Sequence, residues 1–330
     1  MFEFMSGAHL PQKFRVALIG LGNVSCYHRA ALDVLESHFT LSLGVDPNAD
    51  RRAIYPGTAV PELEDAAFND LDAVIVASAT STHAEVAKYA LSNGCPVLLE
   101  KPAVTNLDDW TELLKTADSS GVPLETAFHA RFSADRRWYQ QAQRWLTAEH
   151  GNICAVHCQA FDPYIQSDEL DSRVTALEGS WLDSGINALS GLDMAINDWS
   201  IESLRQVAAY GAEDTATTAT VRFDRRGLPK AGIGIVETSW HAAKSWKETV
   251  LSFEESGARL HLQHSLHRAV LHAPAREPTV LFDAPKTRPR LFQHYEGVYR
   301  EFLRVLMGAN DNRQLSSRLH YQLLSPIKSA

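Results

Sequence analysis

Cysteine is scarce in this 330-residue chain, which has only Cys26, Cys95, Cys154 and Cys158 at irregular spacing. Four such residues cannot build the disulfide framework of a small secreted scaffold, so reduced thiols are expected. Blocks of like charge are also missing. Thirty-one Lys and Arg residues stand against 40 Asp and Glu, giving a net charge of -9, and the basic pairs Arg51-Arg52 and Arg225-Arg226 are isolated. No stripe of cations is available for nucleic acid. No apolar run approaches the roughly 20 residues that span a bilayer, and the first dozen residues lack the basic start and apolar core of a signal peptide. A cytoplasmic protein with no membrane or nucleic-acid partner is the expectation. Internal repeats, linkers and low-complexity stretches are absent as well.

What is present is ordinary globular composition, 45% hydrophobic and 22% charged, in a chain longer than one core usually organises. Two domains are expected, over residues 1–128 and 129–330. In the first, the apolar run Phe14 to Ile19 stops at Gly20-Leu21-Gly22-Asn23-Val24-Ser25, and Ala30, Ala31, Val34 and Leu35 then recur at helical spacing. Further strands are read over Leu41 to Val45, Leu71 to Ala77, Val97 to Leu99 and Val122 to Phe128. Helices are read after Thr82 and over Leu107 to Ala117. Thr82-His83-Ala84-Glu85 has the pattern of a capping box. This alternation predicts an α/β architecture, a Rossmann-type doubly wound parallel sheet.

After about residue 130 the pattern changes. A helix from Ser133 to about Ala148 is followed by strand-like runs near 151–161, 203–210, 215–223, 231–240, 247–254 and 258–264, with turn signals at Arg226-Gly227 and Ser256-Gly257. A C-terminal α+β domain with a large, mostly antiparallel open sheet is expected, and a late helix over Gln293 to Leu306.

Two clusters invite a metal reading, and neither supports it. In a strand, Cys154, Val156 and Cys158 share one face while His157 points away. Similarly Arg259, His261 and Gln263 form a polar face opposite Leu260 and Leu262, so a solvated sheet surface accounts for most of His261, His264, His267 and His272. No metal is expected.

Gly20-x-Gly22-x-x-Ser25, lying between a strand and a helix, is the dinucleotide fingerprint with serine in place of the third glycine. Gly20 makes the tight turn, and Gly22 lets a pyrophosphate approach the amides of the helix N-terminus. Asp46, closing the second strand, reads either as an acceptor for the adenosine ribose or as a helix cap before Pro47. The first role favours NAD over NADP, while Arg51 and Arg52 keep NADP open.

These features, with the Thr80-to-His83 stretch, Glu100-Lys101-Pro102 and the later Asp183-x-Gly185 segment, resemble the Gfo/Idh/MocA oxidoreductases along nearly the whole chain. That family typically carries Asp-x-Gly-x-His with the histidine as proton acceptor; here Asn187 stands in its place. Asp183-Ser184-Gly185-Ile186-Asn187-Ala188-Leu189-Ser190 is similar to the aldose 1-dehydrogenase branch, which acts on L-arabinose and D-galactose and has proline where this chain has Ser184. His129-Ala130-Arg131 and Trp240 also match that branch, whereas the stretch from about Asp162 to Ser180 does not. The resemblance implies NAD, with NADP as an option, bound by Gly20, Gly22, Asn23, Val24, Asp46, Ser78, Thr80, His83, Glu100 and Lys101. It also implies a sugar or polyol held by Lys101, His129, Asp183, Asn187 and Trp240, and a homo-oligomer, dimer or tetramer.

Oxidising an alcohol with NAD requires a hydride acceptor and a group that removes the hydroxyl proton. An asparagine amide cannot take that proton. Lys101, cationic beside Glu100, suits polarising the reacting oxygen, which leaves Asp183 as the base. Read from pattern alone, Asp183 is equally the N-cap of the following helix, His129 an ordinary polar residue after a strand, and Trp240 a core residue. The candidate catalytic set is Lys101, Asp183 and Asn187.

Overall fold

Phe14–Ile19 (β1) is hydrogen-bonded on both sides and fully apolar where it is most buried, as the central strand of a parallel sheet must be. The computed structural model describes residues 13–63, 68–171, 174, 177–196, 198–225 and 230–325. The first dozen residues and the expected turn at Arg226-Gly227 lie outside them. In the first unit β1 is followed by α1 (Ser25–Val34), β2 (Phe39–Val45), α2 (Ala49–Ala53), β3 (Ala59–Val60), β4 (Ala73–Val76), α3 (His83–Ser92), β5 (Val97–Glu100), α4 (Leu107–Ser120) and β6 (Leu124–Ala127). The six strands run parallel in the order β3-β2-β1-β4-β5-β6. That order reverses between β1 and β4, where doubly wound sheets bind dinucleotides.

The second unit begins with α5 (Ala134–His150), β7 (Ile153–Pro163), the short hairpin β8 (Ile165–Gln166) and β9 (Glu169–Leu170), and α6 (Ile186–Ala195). β10 (Trp199–Ala209), β11 (Ala212–Phe223), β12 (Gly232–Ser239), β13 (His241–Phe253), β14 (Arg259–Gln263), β15 (Arg268–His272) and β16 (Thr279–Asp283) follow, then α7 (Arg290–Leu306) and α8 (Arg313–Leu324). Eight strands form one sheet, β10-β11-β12-β7-β13-β14-β15-β16, antiparallel except for the β12–β7 pair. Its inner face, including Val156, Cys158, Val221, Val236, Leu251 and Leu260, packs against Tyr139 and Leu146 of α5, Leu189 and Leu192 of α6, and Leu319 and Leu323 of α8. The outer face is polar with scattered aliphatics. His157 reaches Glu237 there at 2.5 Å, so Cys158 and His157 do point to opposite faces.

The linear division at residue 128 needs one correction. The first unit runs to Ala103 and adds Asp109–Ala127 and, from far along the chain, Tyr295–Arg313; the second comprises Val104–Asp108, Phe128–His294 and the chain from Gln314. Tyr295, Val298, Tyr299, Phe302 and Val305 form a buried stripe at helical spacing on α7. Beyond that helix, Asp311 accepts the amide of Leu124 at 3.0 Å. The Asn312 side chain accepts from Thr126 N (2.9 Å) and donates to Thr126 O (2.8 Å). Side chains thus occupy the free edge of β6 and satisfy its backbone groups.

Two other expectations change. Thr82 is not a capping box: its hydroxyl donates back to Ser78 Oγ and Ala79 O, both at 2.8 Å, because a 3-10 turn over Thr80–Thr82 precedes α3. His264 and His267 are buried, not solvated; they follow β14 and fall on the inner side, where His264 lies 2.5 Å from Asp135 and 2.9 Å from Thr249 Oγ1. Only His261 and His272 share the outer face, with ring centroids 4.4 Å apart. Among the described residues no group of three or more His, Cys, Asp or Glu is arranged to hold a metal ion, and no helix is long and apolar enough to cross a membrane.

Burial holds both His264 and His320 down to about 4 from an ordinary 6.5. In the unfolded chain these rings take up protons below about pH 6.5, whereas the folded chain resists until pH 4. Their stabilising contribution is therefore full above about pH 6.5 and falls as pH drops, by roughly 3 kcal/mol for His320 across the window. Thermal melts between pH 7.5 and 4.5 should show a falling melting temperature, partly flattened in His320→Phe; a melting temperature independent of pH would contradict neutral burial.

Candidate active site

The glycine loop is built on a backbone that only glycine tolerates at its first position. Gly20 has φ +93°, and a Cβ there would lie 2.4 Å from Ala77 O. Gly22 is different: a Cβ would meet nothing closer than Arg51 Nη1 at 3.5 Å, so the space above it is open. Ser25 explains its own substitution for glycine, because its hydroxyl donates to Gly22 O at 2.6 Å and closes the loop. No side chain caps α1; Ser25 N and Tyr27 N donate to Gly22 O (3.1 Å) and Val24 O (3.0 Å), and the positive end of the helix dipole favours an anion above this turn. With Asn23 and Val24 between, this loop fits a dinucleotide pyrophosphate.

Asp46 is buried and is not the cap of α2, since Asn48 takes that role by accepting from Asp50 N and Arg51 N. Its Oδ2 accepts from Leu21 N and its Oδ1 from Asn48 N, each at 2.8 Å, so the carboxylate braces the glycine loop. Arg52 donates to the carbonyls of Asp46 and Pro47 and is spent on the backbone. Arg51 instead faces a cleft of about 420 Å³ lined also by Gly22, Asn23, Arg29 and Tyr55, with Nη1 3.4 Å from Asp46 Oδ2.

At the carboxyl ends of β4 and β5 the remaining candidates are tied together. His83, the first residue of α3, is buried between Pro102 O (2.9 Å) and Ser78 O (3.1 Å), so it links the Ser78–Thr80 turn to the Lys101-Pro102 turn. Burial lowers its pKa against the pull of both carbonyls and Glu100. Glu100 is held from inside. Its Oε1 accepts from Tyr295 Oη at 2.6 Å and lies 3.1 Å from His28 Nε2, while its Oε2 accepts the amide of Lys101 at 3.0 Å. Glu100 and His83 therefore act as scaffold for Lys101, which is half-buried.

In the second unit the helix starts a turn earlier than its sequence suggests, as a π turn over Trp181–Gly185 that leads into α6. Buried Asp214 anchors that turn by accepting from Trp181 N (3.0 Å), Ser180 Oγ (2.5 Å) and Thr217 Oγ1 (2.9 Å). Asp183 therefore sits inside a helical turn and is no N-cap. Asn187 lies one turn on, donating through Nδ2 to Asp183 O at 3.3 Å; its Oδ1 is buried with no partner among the described residues. The two side chains share a helix face.

Sequence reading missed the residues beneath Asp183. Ser184 Oγ donates to Asp162 Oδ2 at 3.0 Å and lies 3.4 Å from Asp183 Oδ2. Lys247 Nζ pairs with Asp162 and donates to Phe161 O at 3.0 Å, and Ser245 Oγ donates to Asp162 Oδ1 at 3.0 Å. Burial lowers the Lys247 pKa, opposed first by Asp162 and then by Asp183. The alternation that faces residues 154, 156 and 158 inward reaches Asp162 one step past the apolar run, and that signal was available.

His129 lies in a 3-10 turn (His129–Phe132) that Arg131 ties to α6 by donating to Ser190 O at 3.0 Å. It lines a cavity with Asn187, Lys247, Arg290 and His294, and its ring stacks on His294 at 5.9 Å. Trp240 is corrected to a core residue: 1% exposed, it packs with Ile165 and Val174 and edges Tyr164 at 5.7 Å. The structure thus gathers Asp183, Asn187 and His129 around α6, gathers the cofactor candidates at the strand ends of the first unit, and leaves Trp240 out.

If Asp46 faces the ribose as well as bracing Leu21, Asp46→Ala should raise the KM for NAD about tenfold and narrow the preference for NAD over NADP. Steady-state kinetics with both dinucleotides will check this; an unchanged ratio of kcat/KM values would reject the ribose role.

Residues 14–128 match the family model described as oxidoreductase family, NAD-binding Rossmann fold (Gfo/Idh/MocA). The rhizopine catabolism protein MocA of Rhizobium meliloti is 24% identical over 53% of this chain and 55% of its own length, so the match spans about half of that relative. The myo-inositol 2-dehydrogenase of Thermotoga maritima is 24% identical over 74% of this chain and 73% of its own. An Agrobacterium radiobacter oxidoreductase solved with NAD+, L-tartaric acid and magnesium shares the fold over 96% of each chain, with TM-score 0.77 and 14% identity. An open glycine cradle braced by Asp46, a matching NAD-binding sequence and this shared fold lead to one conclusion: residues 14–128 form an NAD-binding Rossmann domain of the Gfo/Idh/MocA oxidoreductase type.

Proposed function

We propose that the chain is an NAD(P)-dependent sugar dehydrogenase that oxidises the C1 hydroxyl of a cyclic aldose, of the D-galactose or L-arabinose kind, to a lactone. The observation that carries this reading is Asn187, one helical turn after Asp183, where the wider family has histidine. An amide can orient a sugar hydroxyl but cannot remove its proton. Lys101 polarises and positions O1, and Asp183 accepts the O1 proton. Asn187 and His129 hold the ring hydroxyls. The bound dinucleotide supplies the hydride acceptor.

A second reading, oxidation of a ring hydroxyl of an inositol or related polyol at the same site, draws support from the relative named myo-inositol 2-dehydrogenase, matched over 74% of this chain. From another class, an idle NAD- or sugar-binding regulator would keep the fold without turnover; the retention of Lys101 and Asp183 speaks against it. We also propose that the chain forms a homo-oligomer through the outer face of the eight-stranded sheet, where Ile233 and Ile235 are 59% and 42% exposed.

A reduction screen of NAD and NADP over pentoses, hexoses and inositols separates these readings. Aldose turnover with lactone as product supports the first, inositol turnover the second, and dinucleotide binding without any reduction the regulator. Asp183→Asn should lower kcat about 100-fold or more while leaving the Kd for NAD unchanged. Near-normal turnover in that variant would remove Asp183 as the base. Asn187→His should retain partial activity, measured on the sugar that the screen identifies.

A further inference from the structure

Asp183 does not stand alone in its unit. The residues beneath it form a continuous polar array running from the π turn to the sheet. Ser184 Oγ has one proton and two carboxylates within reach, Asp162 Oδ2 at 3.0 Å and Asp183 Oδ2 at 3.4 Å. Asp162 is buried and also accepts from Ser245 Oγ and from the Lys247 ammonium. Lys247 is the only cation on the inward face of β13, where residues 245, 247, 249, 251 and 253 point to the helices; it lines the cavity that Asn187 enters.

We propose that Ser184, Asp162 and Lys247 are positioning residues that fix the orientation of Asp183 and set the pH at which it works, with Lys247 as a second functional lysine of this protein. The inference rests on the proposed role of Asp183 as proton acceptor and extends it. An ammonium near a carboxylate favours the ionised form, and so does a hydroxyl donated to it. The ionised form is the one that accepts a proton. When the substrate O–H breaks and a new O–H forms on Asp183, that acid becomes a donor toward Ser184 Oγ. The Ser184 proton then belongs wholly to Asp162, whose charge Lys247 balances. No proton is created or lost in this exchange, and the hydride leaves separately to the dinucleotide.

Ser184 is also the one position where this chain departs from the Asp-Pro-Gly-Ile-Asn pattern of the aldose branch. Proline has no hydroxyl, so the link is particular to this sequence. The other charged or titratable groups facing the array are Arg290 of α7, which opposes protonation of Lys247, and, around the same cavity, Arg136 of α5, Cys158 of β7 and Glu248 of β13 with His129, His264 and His294. All of these remain in the variants below.

The test compares log kcat/KM against pH for the full-length protein and for Ser184→Ala, Lys247→Met and Lys247→Arg, on the best substrate from the screen. The acid limb should move to higher pH by about one unit in Lys247→Met and by less in Ser184→Ala, with the KM for NAD unchanged and Lys247→Arg restoring most of the shift. A carboxyl NMR titration of Asp183, assigned with Asp183→Asn, reads the same shift without substrate. Wild-type titration in both Ser184→Ala and Lys247→Met overturns the inference; if Lys247→Met does not fold, Ser184→Ala decides. An active Asp183→Asn would instead overturn the base assignment itself, so the two failures are distinguishable.

Discussion

A buried carboxylate is tolerated only where donors meet it, and the functional segments of each unit hang from such groups. In the first unit Asp46 takes the amides of Leu21 and Asn48, and Glu100 takes Tyr295 Oη and the amide of Lys101. In the second, Asp214 takes the amide of Trp181 with two hydroxyls, and Asp162 takes Ser184, Ser245 and Lys247. Each one ties a functional segment to a strand or helix: the glycine loop, the Lys101 turn, the π turn and Asp183 itself. Loss of any of these donors leaves a buried charge with fewer hydrogen bonds and no solvent to replace them, so the loops are held by a cost and not merely by a preference.

This division of labour reassigns several conspicuous residues. Glu100 and His83 sit beside Lys101 in the chain yet direct their polar atoms into the protein, where they hold the turns after β4 and β5 in place. Lys101 is left as the half-buried cation of that motif. On α6, Asp183 and Asn187 differ in the same way: one can exchange a proton, while the other can only make and accept hydrogen bonds. In the proposed reaction the proton goes to the carboxylate of Asp183, because the amide of Asn187 cannot take it.

Much of this was legible in the sequence because it depends on local pattern. The glycine loop between Ile19 and Ser25 is punctuated by a strand and a helix, and the stripe on α7 repeats at helical spacing. Thr82 shows the limit of such pattern, since a capping box is defined by spacing but a preceding 3-10 turn redirects its hydroxyl. Asp183 shows another: the onset of α6 is shifted by the π turn, which Asp214 of β11 anchors from 33 residues along the chain. His264, Lys247 and Trp240 needed knowledge of which side of a strand end faces the helices. Asp162 needed only one more step of an alternation already recognised.

The segment Tyr295–Arg313 carries a consequence for the birth of the molecule. Its tyrosine completes the shell around Glu100, and Asp311 and Asn312 cover the open side of β6, although these groups lie far from their partners along the chain. On the ribosome, the nucleotide-binding half is therefore begun before residues 128–294 are made and completed only after them. Its sheet edge and its buried acid must wait for the second unit to be synthesised before they are closed.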